Sequence, residues 1–281
     1  MSAERAVQAH LTSPEAYTER AAALLPHMVS AAARAADLIA SRAGERADLE
    51  WRVKAHADFV SDVDTAAETI IRDTLGQLVP GSSVMGEELS PGSAPGEGTH
   101  FIVDPLDGTT NFLHGYPEYA VSIALVLDGT LAGGVVHNAV TGECFTAYIG
   151  GGAERNGSRI SVSRNDDPSR ALIGTGFPFR SFAHVKRYLR QFEEVSRATS
   201  GLRRAGSAAL DLCDVACGRF DAFWELELSP WDFSAGVLII REAGGIVSTL
   251  EGTDVPYTPS SIVAGSSALQ PWLLKLLQEA A

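Results

Sequence analysis

The chain of 281 residues is 45% hydrophobic and 20% charged, a globular composition that excludes a wholly disordered protein and suits one large α/β domain or two small lobes on a shared core. A formal charge of −13 and a pI of about 4.9 argue against nucleic acid or anionic membrane as a partner, and mean that an anionic substrate would need cations held locally. No stretch approaches the roughly 18 unbroken apolar residues of a membrane span, "MSAERAVQAHLTSPEAY" lacks a signal-peptide pattern, and Cys144, Cys213 and Cys217 make no disulfide framework, so a reducing cytoplasm is expected.

Disorder is expected only in the first dozen residues and around "SPGSAPGEG". "SPEAYTERAAALLPHMVSAAARAADLIASRA" reads as an amphipathic helix with Ser13 as N-cap, Pro14 in its first turn, and Pro26 expected to kink or divide it. "LEWRVKA" is a candidate strand. "SDVDTAAETIIRDTLGQLVP" is a second helix, capped by Ser61, striped by Val63, Ala67, Ile70, Ile71 and Leu75, and stopped by Pro80. Two strand-like runs, "SSVMGEE" and "THFIVDP", end in acids. From Tyr119 to Ser163 the chain reads as antiparallel hairpins turned at Asp128-Gly129, Thr141-Gly142 and Asn156-Gly157.

From about Ala171, strands and helices alternate to the final helix "SALQPWLLKLLQEA", which implies a layered α/β half. We expect one domain over 1–281, with an N-terminal α+β lobe over about 1–165 and a C-terminal α/β lobe over about 166–281. Cys213 and Cys217 lie four apart on a predicted helix; with no second Cys/His pair nearby they read as small buried residues rather than a soft-metal site.

Acids gather where apolar runs stop: Glu87 and Glu88 in "MGEE", Asp104 and Asp107 in "VDPLDG", Asp232 in "SPWDFSAG", with Asp58, Asp62 and Asp64 around a helix start. Sites of layered α/β folds form outside the carboxyl ends of strands. Carboxylates converging there repel one another unless cations or protons intervene. Oxygen ligands without clustered His or Cys favour Mg²⁺, Mn²⁺ or Ca²⁺, and such a site binds phosphate. In "DPLDGTTNF", Pro105 biases Asp104 towards extended geometry, Gly108 permits a sharp turn, and "GTTNF" would start a short helix whose N–H groups attract an anion.

Each fragment alone has a plainer reading. D-x-x-D-G is also a capped turn, Asp58–Asp64 a capped and solvated helix start, and Asp232 a partner of a helix dipole. Their coincidence at four junctions favours a site. An EF-hand does not fit, because Pro105, Leu106 and Gly115 occupy the wrong places. An aspartyl-phosphate nucleophile would want its acids one residue apart, whereas two residues separate Asp104 from Asp107, which argues for metal-activated water.

"GEE" at 86–88, "DPLDGTTNFLHGYP" at 104–117, "ELELSPWDFSAGVLIIREAGG" at 225–245 and "ADFVSDVDTAAE" resemble the inositol monophosphatase family of metal-dependent phosphomonoesterases, in order and spacing from about residue 20 to the end. The resemblance implies the layered α-β-α-β-α sandwich of the sugar phosphatases. It implies Mg²⁺, two to three ions per site with Mn²⁺ possible, held by Glu87, Asp104, the Leu106 carbonyl, Asp107 and Asp232. Asp64 and Thr109, with Glu87, would be catalytic, the first two orienting and deprotonating water. Gly108, Thr109 and Thr110 would hold phosphate, while Gly206, Ser207, Ala208 and Glu225 would meet the alcohol.

Ser207 reads equally as an N-cap. Alternation in "WELEL" puts Trp224, Leu226 and Leu228 on one face and Glu225 and Glu227 on the other. Lys54 and Arg204 remain bystanders. Ser61 stands where many members carry threonine, which keeps the hydroxyl.

The resemblance implies hydrolysis of a small polyol or sugar monophosphate, inositol 1-phosphate by default, by a lithium-sensitive homodimer. Histidinol phosphate, fructose 1,6-bisphosphate and adenosine 3′,5′-bisphosphate are alternatives with the same metal core. A metal- or partner-binding domain is the non-enzymatic one.

Overall fold

The computed structural model describes residues 13–48, 51–55, 58–92, 95–178 and 182–280. The first dozen residues, expected to be disordered, and the side chains of Lys54 and Asp58 lie outside what is described. Helix α1 (Pro14–Arg42) starts where the Ser13 side chain accepts from the Ala16 N–H. Pro26 does not divide it: the residue sits on the exposed side, while Leu24, Met28, Ala31 and Ala35 keep the buried face continuous. A hairpin of β1 (Trp51–Ala55) and β2 (Asp58–Ser61) leads into α2 (Asp62–Leu78).

The larger sheet has seven strands in sequence order: β3 (Ser83–Gly86), β4 (Thr99–Asp107), β5 (Ala120–Leu127), β6 (Thr130–Asn138), β7 (Cys144–Tyr148), β8 (Gly152–Arg155) and β9 (Ser158–Arg159). β3 and β4 are parallel and the rest antiparallel, with the short helix α3 (Thr109–His114) between β4 and β5. Asp128-Gly129 and Asn156-Gly157 turn with both residues at positive φ, the geometry that matches the strand twist of a two-residue hairpin.

The smaller sheet, of five strands, is built from β10 (Leu172–Thr175), β11 (Gly201–Arg203), β12 (Ala222–Leu228), β13 (Ile246–Ser248) and β14 (Ser260–Gly265), in the order β11-β10-β12-β14-β13. Its helices are α4 (Val185–Ala198), α5 (Ala208–Ala216), α6 (Pro230–Glu242) and α7 (Leu269–Glu279).

Three apolar clusters define five layers. Residues of α1 and α2 pack on one face of the larger sheet through Met28, Ile71, Phe101 and Ile123. α5 and α6 fill the middle, where Leu212, Phe233 and Ile239 meet Ile102 and Phe145 on one side and Phe223 and Ile262 on the other. α4 and α7 cover the far face of the smaller sheet with Tyr188, Val195, Leu273 and Leu277 around Trp224. The near-continuous apolar runs in "FIVD", "VSIALVL" and "GVLII" follow from this burial, since the sheets and α6 are covered on both sides. The fold is the layered α-β-α-β-α sandwich.

Two strands depart from the local reading. β4 does not stop at Asp104. It bulges at Pro105-Leu106, where Pro105 has no N–H to give the ladder, and pairs again as Asp107↔Ala120. In β12 a bulge between Glu225 and Leu228, with Glu227 at φ 60°, breaks the alternation. Trp224 and Leu226 stay in the outer core, and Leu228 crosses to the middle one.

Candidate active site

Both bulges border one cavity of about 200 Å³, lined by Glu87, Asp104, Leu106, Asp107 and Asp232, by Gly108, Thr109 and Thr110, and by Gly206, Ala208 and Glu225. Asp64 and Ser207 lie behind this wall. Each is bonded to a lining residue, Asp64 to Thr109 and Ser207 to Asp107.

Several acids are seated by a backbone N–H close in sequence or at a helix start. The Ser61 N–H donates to Asp64 Oδ2 at 2.8 Å, and the Ser229 N–H donates to Asp232 Oδ2 at 2.7 Å, so both aspartates sit in the first turn of a helix. Asp107 Oδ2 accepts from the Ala209 N–H at 2.8 Å and from the Ser207 hydroxyl at 2.6 Å at the start of α5. Asp104 Oδ1 accepts from the Leu106 N–H at 2.9 Å across the bulge. The N-termini of α2, α5 and α6 thus present their positive ends to this acidic group, which partly offsets its self-repulsion. Capping and site-building are the same contacts here.

Burial, and then the charges of Glu87, Asp107 and Asp232, push Asp104 well above the usual carboxylate range. Among the described residues no group of three or more His, Cys, Asp or Glu side chains is placed so that it could hold a metal ion. The carboxylates instead line an open cavity, where water and substrate oxygens can complete a shell. Carboxylate oxygens and the Leu106 carbonyl could serve as donors there, a set whose chemistry fits a hard cation such as Mg²⁺.

Thr109 Oγ1 donates to Asp64 Oδ1 at 2.8 Å and lies 3.1 Å from the Leu106 carbonyl. Asp64 also accepts from the Ser61 hydroxyl at 2.5 Å. Burial raises its pKa, and the hydrogen bonds from Ser61 and Thr109 act against that rise. Gly108 has φ 95°, and a Cβ there would stand 2.8 Å from the Glu118 carbonyl, so the turn that aims α3 at the cavity admits no side chain. Asn111 of the same motif donates to the carbonyls of Glu118 (2.7 Å) and Ala205 (2.9 Å), tying α3 to the Gly206 loop.

A family profile described as the inositol monophosphatase family matches residues 21–281. The chain belongs to the inositol monophosphatase family. It is 43% identical over 256 residues to a protein of Rhizobium meliloti named inositol-1-monophosphatase, covering 91% of this chain and 96% of that one. It is 44% identical over 252 residues to Nus factor SuhB of Pseudomonas aeruginosa, covering 88% and 93%. The crystal structure of the extragenic suppressor protein suhB from Bartonella henselae superposes with a TM-score of 0.86 at 40% identity, over 92% of this chain and all of that one. As an inositol monophosphatase family member, the protein is a phosphoric monoester hydrolase.

The rest of the cavity comes from residues that local reading passed over or, for Arg204 and Glu227, named without a role in the site. Gly176, Phe177, Pro178, Arg204 and Glu227 complete the wall, with the Arg204 guanidinium 5.3 Å from the Phe177 ring centroid. Glu227 pairs with His184 at 3.2 Å. Asp211 also faces the cavity from α5, 2% exposed, with Oδ1 lacking a partner among the described residues. Burial first, then Glu225 and Asp107, push its pKa well up. Glu68, fully buried on α2, touches the loop of Glu87. A visible signal for both was an acid on an otherwise apolar helical face.

Proposed function

We propose that this protein hydrolyses small polyol or sugar phosphomonoesters, inositol 1-phosphate foremost, with two to three Mg²⁺ ions per site and Mn²⁺ as a substitute. Glu87, Asp104, the Leu106 carbonyl, Asp107 and Asp232 would hold the ions. Bound there, Mg²⁺ supplies Lewis-acid chemistry to the phosphoryl oxygens and lowers the pKa of water.

The observation that carries the reading is the 2.8 Å contact from Thr109 Oγ1 to Asp64 Oδ1 at the cavity wall. With its hydroxyl hydrogen-bonded to Asp64, the Thr109 oxygen accepts a hydrogen bond from water. As the water attacks, its proton moves to Thr109 Oγ1 while the Thr109 hydroxyl proton moves to Asp64, whose burial raises its affinity for it. The water oxygen bonds to phosphorus, the ester P–O bond breaks, and the departing alcohol oxygen takes a proton from solvent. Gly108, Thr109 and Thr110 hold the phosphate, since first-turn N–H groups have no acceptor within the helix. Gly206, Ala208 and Glu225 meet the alcohol, with Ser207 supporting them from behind.

The test is phosphate release from a panel holding inositol 1-phosphate, histidinol phosphate, fructose 1,6-bisphosphate and adenosine 3′,5′-bisphosphate. Activity is expected with Mg²⁺, is lost in chelator, and falls nearly to background in Asp104→Asn. Full activity in chelator, or an unimpaired variant, would remove the mechanism. By resemblance we extend the proposal to a cytoplasmic homodimer inhibited by lithium, checked by sedimentation and a lithium titration. No described helix is long and apolar enough to cross a membrane.

The name Nus factor SuhB, borne by similar proteins, belongs to a different class of role. For this chain the Asp64–Thr109 pair supports turnover, because binding alone needs no proton acceptor. Metal binding without phosphate release from any ester would favour the binding reading.

A further inference from the structure

Glu68 is an unusual residue to find where it is. It lies one turn after Asp64 on the face of α2 that buries Val63, Ala67, Ile71 and Leu75, and it is 0% exposed. A buried carboxylate is costly unless its oxygens are satisfied. No cation pairs with it among the described residues. Its oxygens accept instead from two consecutive backbone amides: the Glu88 N–H at 2.8 Å from Oε2, and the Leu89 N–H at 3.2 Å from each oxygen.

The segment so gripped is the one that presents Glu87. Before Glu87, the Gly86 N–H donates to the Ser90 carbonyl at 3.0 Å, and the Glu87 N–H donates to the Val103 carbonyl at 3.2 Å, beside Asp104. A Cβ on Gly86 would fall 2.1 Å from Glu68 Oε1. The glycine of "GEE" is therefore there for space, occupied by the Glu68 carboxylate, and not for an unusual backbone angle. One turn further along α2, the Arg72 guanidinium donates to the Ser90 hydroxyl, a second grip on the same loop.

We propose that Glu68 is a positioning residue for the metal site: its carboxylate fixes the backbone on the C-terminal side of Glu87, and through α2 it sets that ligand relative to Asp64. One helix then carries the water-activating aspartate at its start and the brace of a metal ligand a turn later. The inference rests on Glu87 being a metal ligand, as proposed above. Oε2 accepts from both amides and Oε1 from Leu89 alone. Glutamine with its oxygen in the Oε2 position would keep those two contacts but set an NH₂ group 3.2 Å from the Leu89 N–H, a donor against a donor, and would remove the charge that strengthens them.

The experiment is a Mn²⁺ titration of the full-length protein and Glu68→Gln, read by calorimetry and by electron paramagnetic resonance of free Mn²⁺, with melting curves in chelator. Partners of metal ligands are worth roughly 10–100-fold in metal affinity. Glu68→Gln is expected to lose that much Mn²⁺ affinity while remaining folded, and at saturating metal to keep kcat within about 3-fold, because Asp64 and Thr109 are untouched. Gly86→Ala, which pushes the carboxylate away from the other side, should weaken Mn²⁺ similarly. If Glu68→Gln does not fold, Glu68→Asp, one methylene too short, is read in its place. Folded variants with wild-type Mn²⁺ affinity would overturn the inference alone. A wild type that binds no Mn²⁺ would overturn the metal reading and this inference with it.

Discussion

The Ser207 hydroxyl donates to Asp107 Oδ2 at 2.6 Å, joining the start of α5 to the end of β4 across 100 residues of chain. The same oxygen accepts the Ala209 N–H at 2.8 Å, so a carboxylate of the acidic cavity also serves as the cap of a buried helix. Ser207→Ala removes a hydrogen bond to a charged group, worth ~1.5–3 kcal/mol. The expected outcome is a Tm lowered in chelator and a Mg²⁺ requirement shifted to higher concentration, with Ser207→Thr close to wild type. Differential scanning calorimetry and the metal dependence of phosphate release read the two effects.

Thr109→Ala and Asp64→Asn test proton transfer separately from metal binding. General-base contributions are roughly 10²–10⁴-fold, and kcat should fall by that much in each, with apparent Mg²⁺ affinity little changed. Asp64→Asn should also lower stability by ~1 kcal/mol, because it weakens the bond to the Ser61 N–H at the start of α2. Equal kcat in either variant would argue against the pair.

Gly176 faces Glu225 so closely that a Cβ would stand 2.0 Å from its Oε1. Gly176→Ala should displace that carboxylate and leave the phosphate and metal side intact. KM for inositol 1-phosphate is expected to rise several-fold, and KM for p-nitrophenyl phosphate, which has no polyol, to stay put. Glu225→Gln should give the same pattern.

Glu118 gives the stability a pH dependence. Burial, then Asp214 and Glu143, raise its pKa from 4.5 to about 7 against the opposing charge of Arg219. With the folded value above the unfolded one, the folded state binds a proton through that window. The stabilisation is complete below about pH 4.5 and is lost as pH rises through about 7. Because the group is partly exposed, solvent screening leaves an effect of ~1 kcal/mol. Glu118→Gln should flatten this part of the curve of Tm against pH, measured in chelator so that metal does not contribute.

Much of this molecule was legible locally. Ser13 and Ser61 cap their helices, the Asp-Gly and Asn-Gly turns set the hairpins, and four acids that line the cavity, Glu87, Asp104, Asp107 and Asp232, were visible as charges at the ends of apolar runs, while Asp211 was not. Each of these depends on contacts within about one turn of chain or on a strand's period of two. Leu228 was misassigned because one bulge reverses the alternation, and nothing in "WELEL" marks it.

What the sequence by itself determined was the set of elements and the inventory of oxygen donors, because capping, turn geometry and apolar periodicity act between near neighbours. Only the tertiary structure decided which acids meet, that the Ser207 hydroxyl donates a hydrogen bond to Asp107, that Asp211 Oδ1 has no partner among the described residues, and that Glu68 holds the Glu87 loop. Those outcomes depend on how two sheets and the helices between them pack. A buried carboxylate takes its character from the donors and charges that packing brings to it from distant parts of the chain.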